Sequence, residues 1–153
     1  MEPIRVLFVC AANDCLSPMA EGFLRRYGGS AFRVSSAGVE PAPLDRLAAD
    51  LMQRSGVDIS NHVPKSLDEV ADQSFDFVIN VSEGSRDQVT RITNTHRLIH
   101  WRFPDPREMG GTVPVVRRNY QRVRDEVAGR IRLFAYAQTR RRERRSETVS
   151  LGA

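Results

Sequence analysis

The sequence predicts an α/β fold, a single-domain four-stranded parallel sheet flanked by helices on both faces. Three observations carry this expectation. Short β-branched apolar runs alternate with segments whose apolar residues recur at helical spacing. No internal repeat, linker or composition break divides the 153 residues into two domains. The hydrophobic fraction of 41% and the charged fraction of 27% are ordinary for a chain with one packed core.

Taken in order, Ile4 to Val9 is a β-branched, apolar run of the kind found in buried parallel strands. It feeds a polar turn from Ala11 to Ser17. A helix is expected from Pro18, with Ser17 as N-cap and proline at the first helical position. Met19, Phe23 and Leu24 supply its apolar face, and Gly28-Gly29 ends it. Phe32 to Ser36 is the second strand, closed by Ala37-Gly38. Leu44, Leu47, Ala48, Leu51 and Met52 recur at helical spacing, and Gly56 follows as a stop. Phe75 to Val81 is the third strand and Arg97 to Trp101 the fourth. A loop containing proline and glycine runs from Arg102 to Thr112. Val113, Val116, Tyr120, Val123, Val127, Ile131 and Phe134 then mark one stripe of a long last helix. In open parallel sheets, ligands sit beyond the carboxyl ends of the strands at the topological switch point. The turn after the first strand is therefore where chemistry is expected.

Charge adds little to that picture. From Arg140 to Ala153 there are five arginines and two glutamates, so this stretch carries +3 of the net +4. Residues 1–139 are expected to form the domain, and 140–153 a flexible, arginine-rich tail. Contact with a polyanion is the tail's alternative reading. No aromatic residues interleave with the arginines, so a nucleic-acid surface is not expected. No apolar run approaches the roughly 20 residues that cross a bilayer. Met1-Glu2-Pro3 lacks the regions of a signal peptide, which predicts a cytoplasmic protein. No feature specifies an oligomeric state.

Both cysteines, Cys10 and Cys15, lie in one segment at C-x4-C spacing. A disulfide scaffold would bridge distant elements, and a zinc site would need more Cys or His close by. Neither a metal nor another cofactor is expected. Reactive thiols or small buried fillers remain.

The run Val9-Cys10-Ala11-Ala12-Asn13-Asp14-Cys15-Leu16-Ser17-Pro18-Met19-Ala20-Glu21 resembles the phosphate loop of the low-molecular-weight protein tyrosine phosphatases and their arsenate-reductase relatives. Val34-Ser35-Ser36-Ala37-Gly38 and Trp101-Arg102-Phe103-Pro104-Asp105-Pro106 match the same superfamily, and the resemblance spans roughly residues 4 to 139. It implies Cys10 as nucleophile and Asp105 as general acid, a role worth about 10²–10⁴-fold in rate. It also implies an oxyanion cradled by Ala11, Ala12, Asn13, Asp14, Cys15, Leu16 and Ser17. The chemistry is coherent in itself. Backbone N–H groups at a helix N-terminus bind phosphate-like anions, and their field favours a thiolate at the centre. Asn13 suits a left-handed turn. Ser17 fits either a hydrogen bond to the thiolate or a helix cap. Ser36 is expected to brace the loop or simply to end its strand. Cys15 is either packing or a second thiol that bonds oxidised Cys10.

One departure stands out. The arginine that the resemblance implies, which would grip two anion oxygens, is Leu16 here. Its loss corresponds to ~3–5 kcal/mol of transition-state stabilisation. Arg107, just after Asp105-Pro106, or Arg102 could return a positive charge to the pocket. The resembling arsenate reductases pass electrons to further cysteines at and after the end of the third strand. The corresponding stretch here, Ser82 to Val89, contains none. Three readings follow. The first is weak phosphomonoester hydrolysis through a Cys10 phosphoenzyme, and the second is arsenate reduction with an external thiol. The third is a module that binds phosphate, a similar oxyanion or a phosphorylated protein or small molecule without turnover.

Overall fold

A computed structural model describes residues 1–90 and 95–152. Four parallel strands form one sheet: β1 (Ile4–Cys10), β2 (Phe32–Gly38), β3 (Phe75–Asn80) and β4 (Thr95–His100), in the order β2-β1-β3-β4. The switch point lies at β1, whose neighbours on the two sides are reached by connections that leave in opposite directions. β1 pairs with β2 from Ile4↔Phe32 to Cys10↔Gly38 and with β3 from Val6↔Phe77 to Val9↔Asn80. Cys10 thus stands at the carboxyl end of the central part of the sheet, where parallel-sheet proteins open a crevice.

The alternation along β1 divides the core in two. Val6, Phe8 and Cys10 join the larger apolar cluster, which also takes in α1 (Leu16–Gly28), α2 (Arg46–Arg54) and α4 (Val113–Gly152). Leu7 and Val9 face the smaller one, with Ala37, Val70, Phe75, Val78 and Val89. That second face is covered by shorter pieces, a 3-10 turn at Leu67–Glu69 and the four-residue α3 (Arg86–Val89). The helices expected on both faces are therefore unequal in size.

Local chemistry explains most boundaries. Gly29, at φ 56°, ends α1, because a side chain there would meet the left-handed penalty. Asp45 caps α2 by accepting from the N–H groups of Leu47 at 3.0 Å and Ala48 at 3.1 Å. Tyr120 donates to the other oxygen of that carboxylate at 2.7 Å, tying α2 to α4.

Two expectations change. Val113 is 83% exposed, so the buried stripe of α4 begins at Tyr120. The stretch from residue 140 onward continues α4 as helix to Gly152, with Ala153 outside the described residues. Arg142 explains why this end of the helix is tied down. Its guanidinium donates to the carbonyls of Met1 at 2.8 Å and Ala31 at 3.0 Å.

Candidate active site

The loop from Ala11 to Cys15 follows β1 directly and passes into α1 at Leu16. Its carbonyls are held from outside by the segment after β2. Glu40 donates to Ala11 at 2.9 Å, Ala42 to Ala12 at 3.0 Å and Asp45 to Asp14 at 2.9 Å. The N–H groups of Ala11 to Cys15 have no acceptor among the described residues. A curled row of such donors at a helix start is what a tetrahedral oxyanion needs.

Asn13 fixes the curl. It is the one non-glycine residue with positive φ among those described, at 51°, and it is fully buried. Its side-chain oxygen accepts from the Lys65 N–H at 3.0 Å, which settles the orientation of the amide. The amide nitrogen then donates to Ser17 Oγ and Ser36 Oγ, both at 2.9 Å. Ser17 Oγ lies 2.8 Å from Cys10 Sγ. With both Asn13 N–H groups directed at hydroxyl oxygens, each serine hydrogen is free, and that of Ser17 can stabilise a thiolate at Cys10. The expected N-cap role falls instead to the backbone at Cys15, and Ser17 makes no cap bond. Helix α1 begins two residues before Pro18, because the loop residues already turn into helical geometry at Leu16.

His62 of this network escaped the sequence reading. His62 Nε2 lies 3.2 Å from the Asn13 carbonyl and 3.1 Å from its side-chain oxygen. Both are acceptors, so Nε2 carries a proton. Nδ1 faces the Glu21 carboxylate at 3.6 Å. Burial alone would raise the Glu21 carboxyl, but the adjoining His62 imidazole and the Arg25 and Lys65 charges outweigh it and leave it below its ordinary value. The signal was weak in sequence: a lone histidine in a connecting segment 49 residues from Asn13 looks like any surface residue.

Leu16, 2% exposed, lies in the larger core cluster beside Met19 and Ala20. The side chain serves packing rather than anion contact. Arg107 reaches the loop, but it arrives already engaged. It donates to Asp14 at 2.5 Å and grips Asp105 through Nε at 3.0 Å and Nη2 at 2.9 Å. Its pKa is raised, first by the Asp105 hydrogen bonds. Partial burial pulls the Asp105 carboxyl up, yet the side-chain and backbone bonds from Arg107 win and hold it below the usual range. Arg102 pairs with Glu83 at 3.1 Å, on an exposed rim. The other oxygen of the Asp14 carboxylate, Oδ1, is buried and has no partner among the described residues. Cys15 is fully buried, and burial, followed by the Asp45 charge, pushes its thiol well up. No group of three or more His, Cys, Asp or Glu among the described residues is arranged to hold a metal.

The family model described as low molecular weight phosphotyrosine protein phosphatase matches residues 5–145. The chain belongs to that family. An arsenate reductase of Bacillus subtilis (strain 168) is 34% identical over 135 residues, covering 88% of this chain and 97% of the relative. Among solved structures, an arsenate reductase in a phosphate-binding state aligns with TM-score 0.68 and 27% identity, over 88% of this chain and 98% of that one. The tyrosine phosphatase Wzb from Escherichia coli K30, in complex with sulphate, aligns with TM-score 0.70 at 22% identity, over 88% and 97%, and shares the fold. No helix among the described residues is long and apolar enough to cross a membrane.

Proposed function

We propose that this chain is an arsenate reductase of the family that uses Cys10 as nucleophile and draws its electrons from an external thiol. The observation that carries this reading is the buried Asp14 carboxylate at the loop, which Arg107 holds through one oxygen only. The unpartnered Asp14 Oδ1 is a buried acceptor, and a hydrogenarsenate ion has a hydroxyl to give it, whereas a phosphomonoester dianion has none. The names of the 34%-identical relatives support the same choice.

In the first step Cys10 thiolate attacks arsenic, an S–As bond forms, and hydroxide leaves as water after protonation. An external thiolate then attacks Cys10 sulfur. The S–As electron pair stays on arsenic, which leaves as arsenite, and Cys10 carries a mixed disulfide. A second external thiol frees Cys10 as the symmetric disulfide departs. The external thiol is required on physical grounds. Ser82 to Val89 contains no cysteine, and burial keeps Cys15 protonated and a poor nucleophile.

Arsenite release from arsenate with a small monothiol, measured against Cys10→Ser, tests the reading. Arsenite above the variant's background, with a thiol adduct on Cys10 by mass spectrometry, is expected. Aryl-phosphate hydrolysis without arsenite would favour the phosphatase reading instead. A second reading, oxyanion binding without turnover, is favoured by Leu16 lying in the core; anion binding with neither activity would select it.

A further inference from the structure

The chain's excess charge gathers at the end of the sheet opposite Cys10. A cleft of about 760 Å³ opens there between the starts of β1, β3 and β4 and the stretch of α4 from Gln138 to Arg145. Arg5, Arg97, Arg141, Arg142 and Arg145 line it against two carboxylates, Glu2 and Asp76. Three of the four net positive charges of the whole protein therefore sit in this one lining. β1 separates the cleft from the Cys10 loop by its full length, about 20 Å at the usual rise per residue.

The arginines divide by what they already do. Arg142 is occupied with the Met1 and Ala31 carbonyls, and Arg97 lies over the Phe77 ring at 5.7 Å. The Asp76 carboxylate accepts from the Arg5 backbone N–H at 2.8 Å. The guanidinium groups of Arg5, Arg141 and Arg145 have no hydrogen-bond or ion-pair partner among the described residues. Arg141 and Arg145 stand one turn apart on α4, a like-charged spacing that disfavours a helix in isolation. Three unpaired guanidiniums converging on a concave, ligand-sized space raise the local concentration of anions.

We propose that this cleft binds an oligophosphate chain, free or carried by a nucleotide, at a site separate from the Cys10 loop. The planar fork of arginine matches phosphate oxygens two at a time, and three forks suit a ligand with several phosphates in a row. Of the rings in the lining, those of Phe75 and Phe77 are 3% and 7% exposed and offer no open face for a base, which leaves the exposed His96 imidazole alone. Recognition therefore runs mainly through the phosphates, and a nucleobase adds little. A single imidazole is no platform for successive bases, which disfavours single-stranded nucleic acid, a ligand that binds through repeated stacking as well as charge.

Isothermal titration at low ionic strength with tripolyphosphate, ATP and AMP tests this, using the wild-type chain and an Arg141→Ala/Arg145→Ala variant. Saturable 1:1 binding is expected, similar for tripolyphosphate and ATP, at least tenfold weaker for AMP, and at least tenfold weaker in the variant. Protection of Cys10 from alkylation by orthophosphate should be the same in both proteins, which separates this cleft from the loop. Three results would each overturn the proposal. The first is no saturable tripolyphosphate binding, and the second is equal affinity in the variant. The third is binding of a short single-stranded RNA where tripolyphosphate does not bind.

Discussion

At position 16 the anion loop hands over to α1, and the side chain there must choose between pocket and core. Leucine goes to the core, where it is 2% exposed. An arginine could not stay there, because an unpaired buried guanidinium is far costlier than a turn toward the loop's anion. Leu16→Arg is therefore expected to raise aryl-phosphate hydrolysis by at least about tenfold, out of a full gain of ~10²–10⁴. Adding Cys10→Ser should remove the gain. A folded Leu16→Arg protein with unchanged rates would mean that the loop cannot position an anion for transfer. Arg107 belongs to the same scale. It is shared between Asp14 and Asp105, so an oxyanion must compete with carboxylates for its remaining N–H groups. Arg107→Ala should still weaken vanadate or phosphate binding by about 1–3 kcal/mol, because it leaves Asp14 buried and unpaired beside the anion. Titration calorimetry reads this directly, and an unchanged affinity would remove Arg107 from the site.

The loop keeps its shape because neighbouring elements grip it from outside. Gly38 at the end of β2 is the tightest of these contacts. A Cβ there would stand 2.6 Å from the Asn13 backbone nitrogen and 2.7 Å from the Ala12 carbonyl carbon. Neither atom belongs to a flexible side chain, so the loop itself would have to move. Gly38→Ala is expected to lower oxyanion affinity at least tenfold while far-UV circular dichroism stays unchanged. Wild-type affinity in that variant would show that the loop shifts freely. Asn13, Ser17 and Ser36 complete the grip from within, joining the loop, α1 and β2 through one amide.

Across the whole molecule, α4 is the element that holds the sheet's larger face together. Phe134 packs edge-on against Phe77 at 5.1 Å and Trp101 at 5.7 Å, and lies 6.1 Å from Phe32. Removing that ring leaves a cavity between helix and sheet, so Phe134→Ala should cost about 3–5 kcal/mol in urea unfolding. A loss below about 1 kcal/mol would show that this face collapses to refill the space. Acid stability follows from the two at least partly buried carboxyls with depressed folded values, Glu21 and Asp105, whereas Asp58, also depressed, is fully exposed. Such groups stabilise the fold fully above their unfolded pKa, about 4.3 for Glu and 3.9 for Asp. That contribution is lost as pH falls through the lower folded values. Unfolding free energy should therefore drop from pH 5 toward pH 3, and Glu21→Gln should flatten the drop. An identical slope in the variant would remove Glu21 from the linkage.

The alternating strand and helix periods of the sequence determined the parallel sheet and the place of Cys10 at its switch point. These are local properties, written in short runs such as Ile4 to Val9 and Leu47-Ala48-Leu51. What the sequence could not show is which side chains meet across long separations. His62 reaches Asn13 from 49 residues away, and Arg107 reaches Asp14 from 93. Neither pairing leaves a periodic or compositional trace, because each depends on how separate loops fold back over the sheet. The direction taken by Leu16 and the helical course of residues 140–152 were likewise decided by tertiary contacts. An apolar side chain follows the nearest core, and the arginine-rich end of α4 is anchored where Arg142 finds the carbonyls of Met1 and Ala31 to hold.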